Sequence, residues 1–303
     1  MCLGYNYHYL MESDHIKLIK KYKGTVIDLK KKSSENKHLF LVGNCVEVLR
    51  DMKDKSVSVI FTDPPYNAGL NYGKNYNDQL SWKDYYAQAR SWFGEYRRIL
   101  KDDGSIFIMN YPEINARLLP ILEDELGLIF RRWITWHYPT NIGHSKTNFT
   151  RSQRSILYLT KTKNSTFNRE QILQPYRNPD VAKVKERIQK GSKGRVAYDA
   201  LTYFDLIEMR MIEENKDNTD YHEVNLLKNI SFDRLNKKHP CQLPLELIER
   251  FIKLSTKPGD VVLDPFAGTF TTSLAAARLG RQSVGIEINP AYVNLGKKRL
   301  INL

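Results

Sequence analysis

The tetrapeptide Asp63-Pro64-Pro65-Tyr66 places a carboxylate, rigid carbonyls and an aromatic ring within four residues. That set suits recognition of a planar amine. A carboxylate and a neighbouring carbonyl can accept the two amine hydrogens, and a ring can stack on the heterocycle. The amine of a heteroaromatic ring is a poor nucleophile because its lone pair is delocalised. Two acceptors on its hydrogens localise the lone pair and aim it at an electrophile. What remains is positioning for in-line attack and placement of developing charge. The bland reading is a Pro-rich turn with a capping Asp, and the surrounding elements must decide.

Val57-Ser58-Val59-Ile60-Phe61 is an apolar run of strand length. It delivers Asp63 to a carboxyl end. Neither proline has an N–H and both fix φ, so a central strand cannot continue through them, and their carbonyls are left to face a ligand. Upstream, His38 to Val42 reads as a strand, Gly43-Asn44 as a turn and Cys45 to Met52 as a short helix. Downstream, residues 67–80 form an Asn-, Gly- and Tyr-rich loop in the place of a lid. Ser81 to Leu100 is amphipathic, capped by Ser81 with Asp84, and its aromatics from Trp82 to Tyr96 read as core. A strand at Ser105 to Met109, a helix near Ile114 to Leu126, and strands near Ile129 to Trp136 and Arg154 to Thr160 follow. This alternation indicates a largely parallel α/β sheet.

A second stretch carries a different chemistry. Val261-Val262-Leu263 reads as a buried strand, Asp264-Pro265-Phe266-Ala267-Gly268-Thr269 as a tight loop, and Thr271 to Leu279 as a helix. Small residues there let a ligand approach the backbone. Glu287 falls about twenty positions later, at the end of the next strand, where an acid can hold ribose hydroxyls as in dinucleotide folds. A nicotinamide-dependent enzyme is the competing reading. The loop lacks the Gly-x-Gly-x-x-Gly fingerprint.

The 303 residues suffice for one large α/β domain with an insertion. The net charge of +13 favours a polyanionic partner. No run reaches the roughly 18 apolar residues of a membrane span. Cys2, Cys45 and Cys241 are too scattered for a zinc site or a disulfide framework, which points to the cytoplasm and to no metal. Lysines crowd Lys17 to Lys37, and this stretch reads as a solvated arm or a phosphate-contacting one. Lys161 to Lys238 breaks the α/β pattern and holds Lys183, Lys185, Arg187, Lys190, Lys193 and Arg195. It reads as an inserted basic module suited to a polyanion, with a solvated surface excursion as the alternative.

Asp63-Pro64-Pro65-Tyr66, followed much later by the Asp264 to Gly268 loop, resembles the beta group of amino-group DNA methyltransferases. The likeness spans roughly residues 38–160 and 239–300, in catalytic-loop-first order. It implies a circularly permuted, Rossmann-like, S-adenosylmethionine-dependent methyltransferase fold, with a mixed, mostly parallel sheet and an inserted target-recognition region. The implied organisation is a basic N-terminal arm over 1–37, a catalytic domain over 38–160 and 239–303, and the insert over 161–238. The implied catalytic residues are Asp63, Pro64, Pro65 and Tyr66, with Tyr66 stacking on a base taken out of the duplex. The implied cofactor residues are Asn44, Cys45, Asp63, His239, Gln242, Asp264, Phe266, Gly268, Thr269 and Glu287. Three positions depart from the family habit: Asn44 replaces an acid, Leu243 a lysine and Phe270 a second glycine. Asp at the first motif position implies adenine as target, with the cytosine exocyclic amine as the alternative. More distant readings are an RNA base or protein amide as substrate, and a non-catalytic DNA-binding module on a decayed fold. Double-stranded DNA is the implied partner; a cognate restriction endonuclease and a homodimer are compatible with the family.

Overall fold

A computed structural model describes residues 12–31, 34–69, 78–137, 146–202, 205 and 243–303. Its frame is a nine-stranded sheet. In chain order the strands are β1 (Thr25–Lys31), β2 (Ser34–Val42), β3 (Val57–Thr62), β4 (Leu100–Asn110), β5 (Ile129–His137), β6 (Gln153–Thr160), β9 (Ala200–Leu201), β10 (Val261–Asp264) and β11 (Gln282–Glu287). Two short strands, β7 (Leu173–Gln174) and β8 (Arg195–Val196), pair with each other. The spatial order is β1-β2-β11-β10-β3-β4-β6-β5-β9. From β2 to β4 every pairing is parallel. β10, made late in the chain, is inserted beside β3, made early. That is the permuted order, and it sets the two loop-bearing strands side by side.

Alternation along the strands feeds two cores. Ile60, Val261 and Leu263 point to one face, under α1 (Glu12–Lys21), α2 (Cys45–Arg50), α3 (Trp82–Ile99) and α4 (Pro112–Pro120). Val59, Phe61 and Val262 point to the other, under α6 (Leu245–Ser255), α7 (Thr271–Arg278) and α8 (Pro290–Ile301). Burial on both faces explains why β3 reads as an unbroken apolar run. The Ser81 hydroxyl accepts from the Asp84 N–H and starts α3 as expected. Tyr85, Trp92, Phe93 and Tyr96 are core, but Trp82 is 38% exposed. It sits in the first turn at the rim, where the Arg117 guanidinium covers its ring at 4.5 Å.

Residues 12–31, read from sequence as part of a solvated arm, form α1 and β1. β1 extends the sheet antiparallel to β2, and Leu18 and Tyr22 are buried against the core. Within the stretch read as an insert, α5 (Ala182–Gln189) has no buried residue, while β9 pairs with β5 through Thr135↔Ala200 and Trp136↔Leu201. Two antiparallel steps separate β5 from β4, so β5 runs with the parallel block. The insert therefore docks near the carboxyl end of β5, on the same rim as Asp63.

Candidate active site

β3 ends at Thr62, and the chain turns through the two prolines. Asp63, Pro65 and Tyr66 line a cleft, and Pro64 is buried in the same turn, as Pro65 and Tyr66 are. Of the carbonyls expected to face a ligand, that of Pro65 is taken: the Tyr85 hydroxyl donates to it at 2.8 Å. The Tyr66 hydroxyl donates to Asp63 Oδ1. Tyr66 is 4% exposed and packs edge-on against Tyr111, with ring centres 4.6 Å apart. The Arg154 guanidinium lies 5.4 Å from the Tyr66 ring and 4.3 Å from that of Tyr111. Burial pushes the Asp63 carboxyl up to about 6, against the Tyr66 hydroxyl and the Arg154 charge, which both pull it down.

The loop after residue 66 is clasped at both ends. The buried Asp78 carboxylate accepts from the Asn67 and Ala68 N–H groups, and the Asn67 side chain bonds the Leu80 backbone in both directions. The stretch placed as a lid falls largely on residues 70–77, outside the described residues.

β10 ends at Asp264, beside β3. Asp264 Oδ1 accepts from the Phe266 N–H at 3.1 Å and Oδ2 from the Thr272 hydroxyl at 2.6 Å, folding the loop back onto α7. Gly268 turns with φ 51° and donates its N–H to Glu287 Oε2 at 2.9 Å. Glu287 Oε1 accepts from Asn289, so the acid staples the loop to the end of β11. Arg299 on α8 donates to the Thr269 carbonyl and hydroxyl. Phe266 packs edge-on against Trp92, centres 5.1 Å apart.

Asn44, Cys45, Asp63, Asp264, Phe266, Gly268, Thr269 and Glu287 all line this one cleft. His239 and Gln242 lie outside the described residues. Asn44 caps α2, its Oδ1 accepting from the Val46 N–H at 2.9 Å, so that oxygen is already engaged. The Cys45 thiol is buried and pushed up to about 12 by desolvation, which leaves it inert as a nucleophile. Leu243 also lines the cleft and gives its wall an apolar spot where the family habit has a charge.

Phe270 does not crowd the cleft. It occupies the N-cap position of α7 in the left-handed region, φ 63° and ψ 35°. Its ring stacks on Phe40 at 4.1 Å, in space left by Gly285 and Gly296, where a Cβ would come within 2.4 and 2.5 Å of it. A left-handed backbone costs a non-glycine residue about 1–2 kcal/mol. Burying a Phe side chain returns about 1.5–3 kcal/mol, enough to hold it there.

Three acids border the cleft. Burial pushes Asp264 up to about 7, helped by the charges of Asp63 and Glu287, while the Thr272 and Phe266 bonds pull the other way. Burial also raises Glu287. Such a wall repels a pyrophosphate and disfavours a nicotinamide dinucleotide. It fits S-adenosylmethionine, which carries a sulfonium, an ammonium and ribose hydroxyls. Glu287 suits the ribose, the small-residue loop suits close approach, and the cofactor supplies an electrophilic methyl group.

Sequence reading missed Tyr111 and Arg154. Their signal is topological: β6 runs antiparallel to β4, so the start of β6 lies beside the end of β4, with Asn110 paired to Ser155. Residues flanking that pair pack on Tyr66. Only the strand direction reveals this.

A permuted parallel sheet with a glycine-loop strand and an Asp-Pro-Pro-Tyr strand ending on one acid-lined cleft defines an S-adenosylmethionine-dependent methyltransferase. A family model described as DNA methylase matches residues 57–298, and the chain belongs to that family. It is 30% identical over 260 residues to the Type II methyltransferase M.HpaI of Haemophilus parainfluenzae, covering 86% of this chain and 73% of that one. It is 32% identical over 270 residues to the DNA adenine methyltransferase YhdJ of Escherichia coli (strain K12), covering 85% and 81%. Among solved structures, the PvuII DNA methyltransferase (cytosine-N4-specific) shares the fold with a TM-score of 0.62 at 20% identity, over 88% of this chain and 86% of that one. DNA is the substrate. Among the described residues no helix is long and apolar enough to cross a membrane.

Proposed function

We propose that this chain transfers a methyl group from S-adenosylmethionine to the exocyclic amine of adenine at a specific DNA site, with Asp63 as acceptor for the amine. One observation carries this reading: Asp63 and the Gly268 loop leave adjacent strands into a single cleft. Asp63 Oδ1 holds the Tyr66 hydroxyl, and the other carboxylate oxygen takes one amine hydrogen. The Pro64 carbonyl takes the second, the Pro65 carbonyl being held by Tyr85. The Tyr66 ring borders the extruded base. Asn44, Phe266, Gly268, Thr269 and Glu287 cradle the cofactor, and Asp264 shapes the loop under its charged end. Residues 38–160 and 239–303 form the catalytic domain, and residues 161–238 recognise the target.

DNA grip comes from α5 and the residues after it. Lys183, Lys185, Arg187, Lys190 and Lys193 are exposed. Lys185 and Lys190 sit on Asp180 and Glu186, and a phosphate must displace those acids. Arg195 stacks 3.9 Å from the Tyr198 ring and supports the module from within. A companion restriction endonuclease of the same specificity, a homodimeric assembly and action on nucleoid DNA in the bacterial cytoplasm complete the reading.

Expression in a methylation-free bacterial host, followed by modified-base sequencing, tests it. N6-methyladenine in one sequence context is the expected result. N4-methylcytosine reassigns the base, and unmodified DNA contradicts the proposal.

A further inference from the structure

Arg154 has a place in the reaction that no motif assigns, and it rests on the methyltransferase reading of Asp63. It is the second residue of β6, whose amino end lies beside the carboxyl end of β4. Its guanidinium lies against the contacting Tyr66 and Tyr111 rings, 5.4 and 4.3 Å from their centres. Arg151 covers Tyr111 as well, at 3.5 Å, and pairs with Glu113, so Tyr111 is flanked by two guanidinium groups. The stack ends on the Tyr66 hydroxyl, which donates to Asp63.

A carboxyl group accepts an amine hydrogen most strongly when it is ionised. Asp63 is placed badly for that: burial favours its neutral form, and two more acids, Asp264 and Glu287, line the same cleft. Cys45 lines the same cleft but is held neutral by burial, and the Tyr85 hydroxyl is engaged with the Pro65 carbonyl. Burial, and then the Asp63 charge, hold the Tyr66 hydroxyl well above its ordinary range, so it stays a donor. Among the described residues, Arg154 is the cation that bears on Asp63.

We propose that Arg154 is a positioning residue: packed on Tyr66 and Tyr111, it fixes the Tyr66–Asp63 pair and supplies the positive charge that a buried acceptor carboxylate needs. It acts through Asp63 and touches no reacting atom.

The test is single-turnover methyl transfer by the full chain, saturated with S-adenosylmethionine, from pH 5 to 9. Wild type, Arg154→Lys and Arg154→Met are compared. The wild-type rate should rise through an acid limb near pH 6, where Asp63 ionises. Without the Arg154 charge Asp63 holds its proton to higher pH. The limb of Arg154→Met should then move up by about one unit, a roughly tenfold loss below the limb that largely vanishes at pH 9. Arg154→Lys should restore most of the limb. A loss equal at every pH marks Arg154 as merely structural and overturns the proposal. So does a raised KM for DNA with a shallower salt dependence and an unmoved limb, which assigns Arg154 to a phosphate. If Arg154→Met does not fold, Arg154→Gln reads the same loss of charge: its limb should also move up, and an unmoved limb overturns the proposal. A wild-type chain that transfers no methyl group removes the function itself; an active wild type with unmoved limbs removes only this inference.

Discussion

The catalytic loop at the end of β3 is held by side chains gathered from α3, the β4–α4 junction and β6: Tyr85, Tyr111 and Arg154. The cofactor loop at the end of β10 is hydrogen-bonded by the elements that follow it, through Thr272, Glu287 and Arg299, and packs on Trp92 and Phe40 from earlier in the chain. Prolines stiffen the first, and a left-handed glycine whose N–H is held by Glu287 shapes the second. The division fits the chemistry. The hydrogen bonds that shape the cofactor loop come from residues within it and after it in the chain. A base amine needs an acceptor whose charge and aim are set by the rest of the domain.

The largest break in the comparison should come from Asp63→Ala. Methyl transfer should fall by at least about 100-fold, as when one transition-state hydrogen bond is lost. Calorimetric cofactor affinity should stay within a few-fold, because the cofactor loop does not lean on Asp63. Equal damage to affinity would show that the two loops are one unit.

Glu287→Ala strikes the other side. It removes the acceptor for the Gly268 N–H and the proposed ribose contact. Cofactor binding should weaken by about 1.5–3 kcal/mol, the range for bonds to a charged group, with non-specific DNA affinity unchanged. Unchanged cofactor affinity would place the ribose elsewhere.

How far the sequence could be read follows the same line. Gly268, Asp264 and Glu287 were legible because their partners lie close along the chain, and the cofactor-loop assignments converge on one cleft. Asp63 was legible from its motif, and its strand from a continuous apolar run. Tyr66 was read for its ring alone; the hydroxyl bond to Asp63 depends on burial that no motif displays. Trp82 was read as core because helical spacing does not distinguish the buried middle of α3 from its exposed first turn. α1 and β1 were hidden by lysines, whose charges sit beside buried Leu18, Tyr22 and Ile27. Arg154 and Tyr111 needed the antiparallel sense of β6.

A smaller effect should follow Phe270→Gly, which restores the family's glycine. Relief of the left-handed backbone returns about 1–2 kcal/mol, while the emptied space beside Phe40, Gly285 and Gly296 costs about 3–5 kcal/mol. Thermal unfolding should show a net loss of about 1–4 kcal/mol, with cofactor affinity within about threefold. A stabilised variant would mean that the core closes over the gap. A large change in affinity would mean that the ring shapes the cofactor loop from behind.

The smallest effect concerns the surface. Changing Lys185, Arg187 and Lys190 together to Ala should reduce the slope of log affinity against log salt by up to about 2.7 on any duplex. The loss should be similar on cognate and scrambled sequences, because phosphate contacts carry no base readout. An unshifted slope would take α5 off the DNA.

The central claim is that Asp63 directs the methyl group of S-adenosylmethionine onto the adenine amine. The most direct measurement is mass spectrometry of nucleosides from DNA incubated with the full chain and methyl-labelled cofactor, for wild type and Asp63→Ala. Labelled N6-methyladenine from wild type and at least about 100-fold less from the variant is the predicted result. Label in N4-methylcytosine, or equal yields of N6-methyladenine from the two proteins, would contradict it.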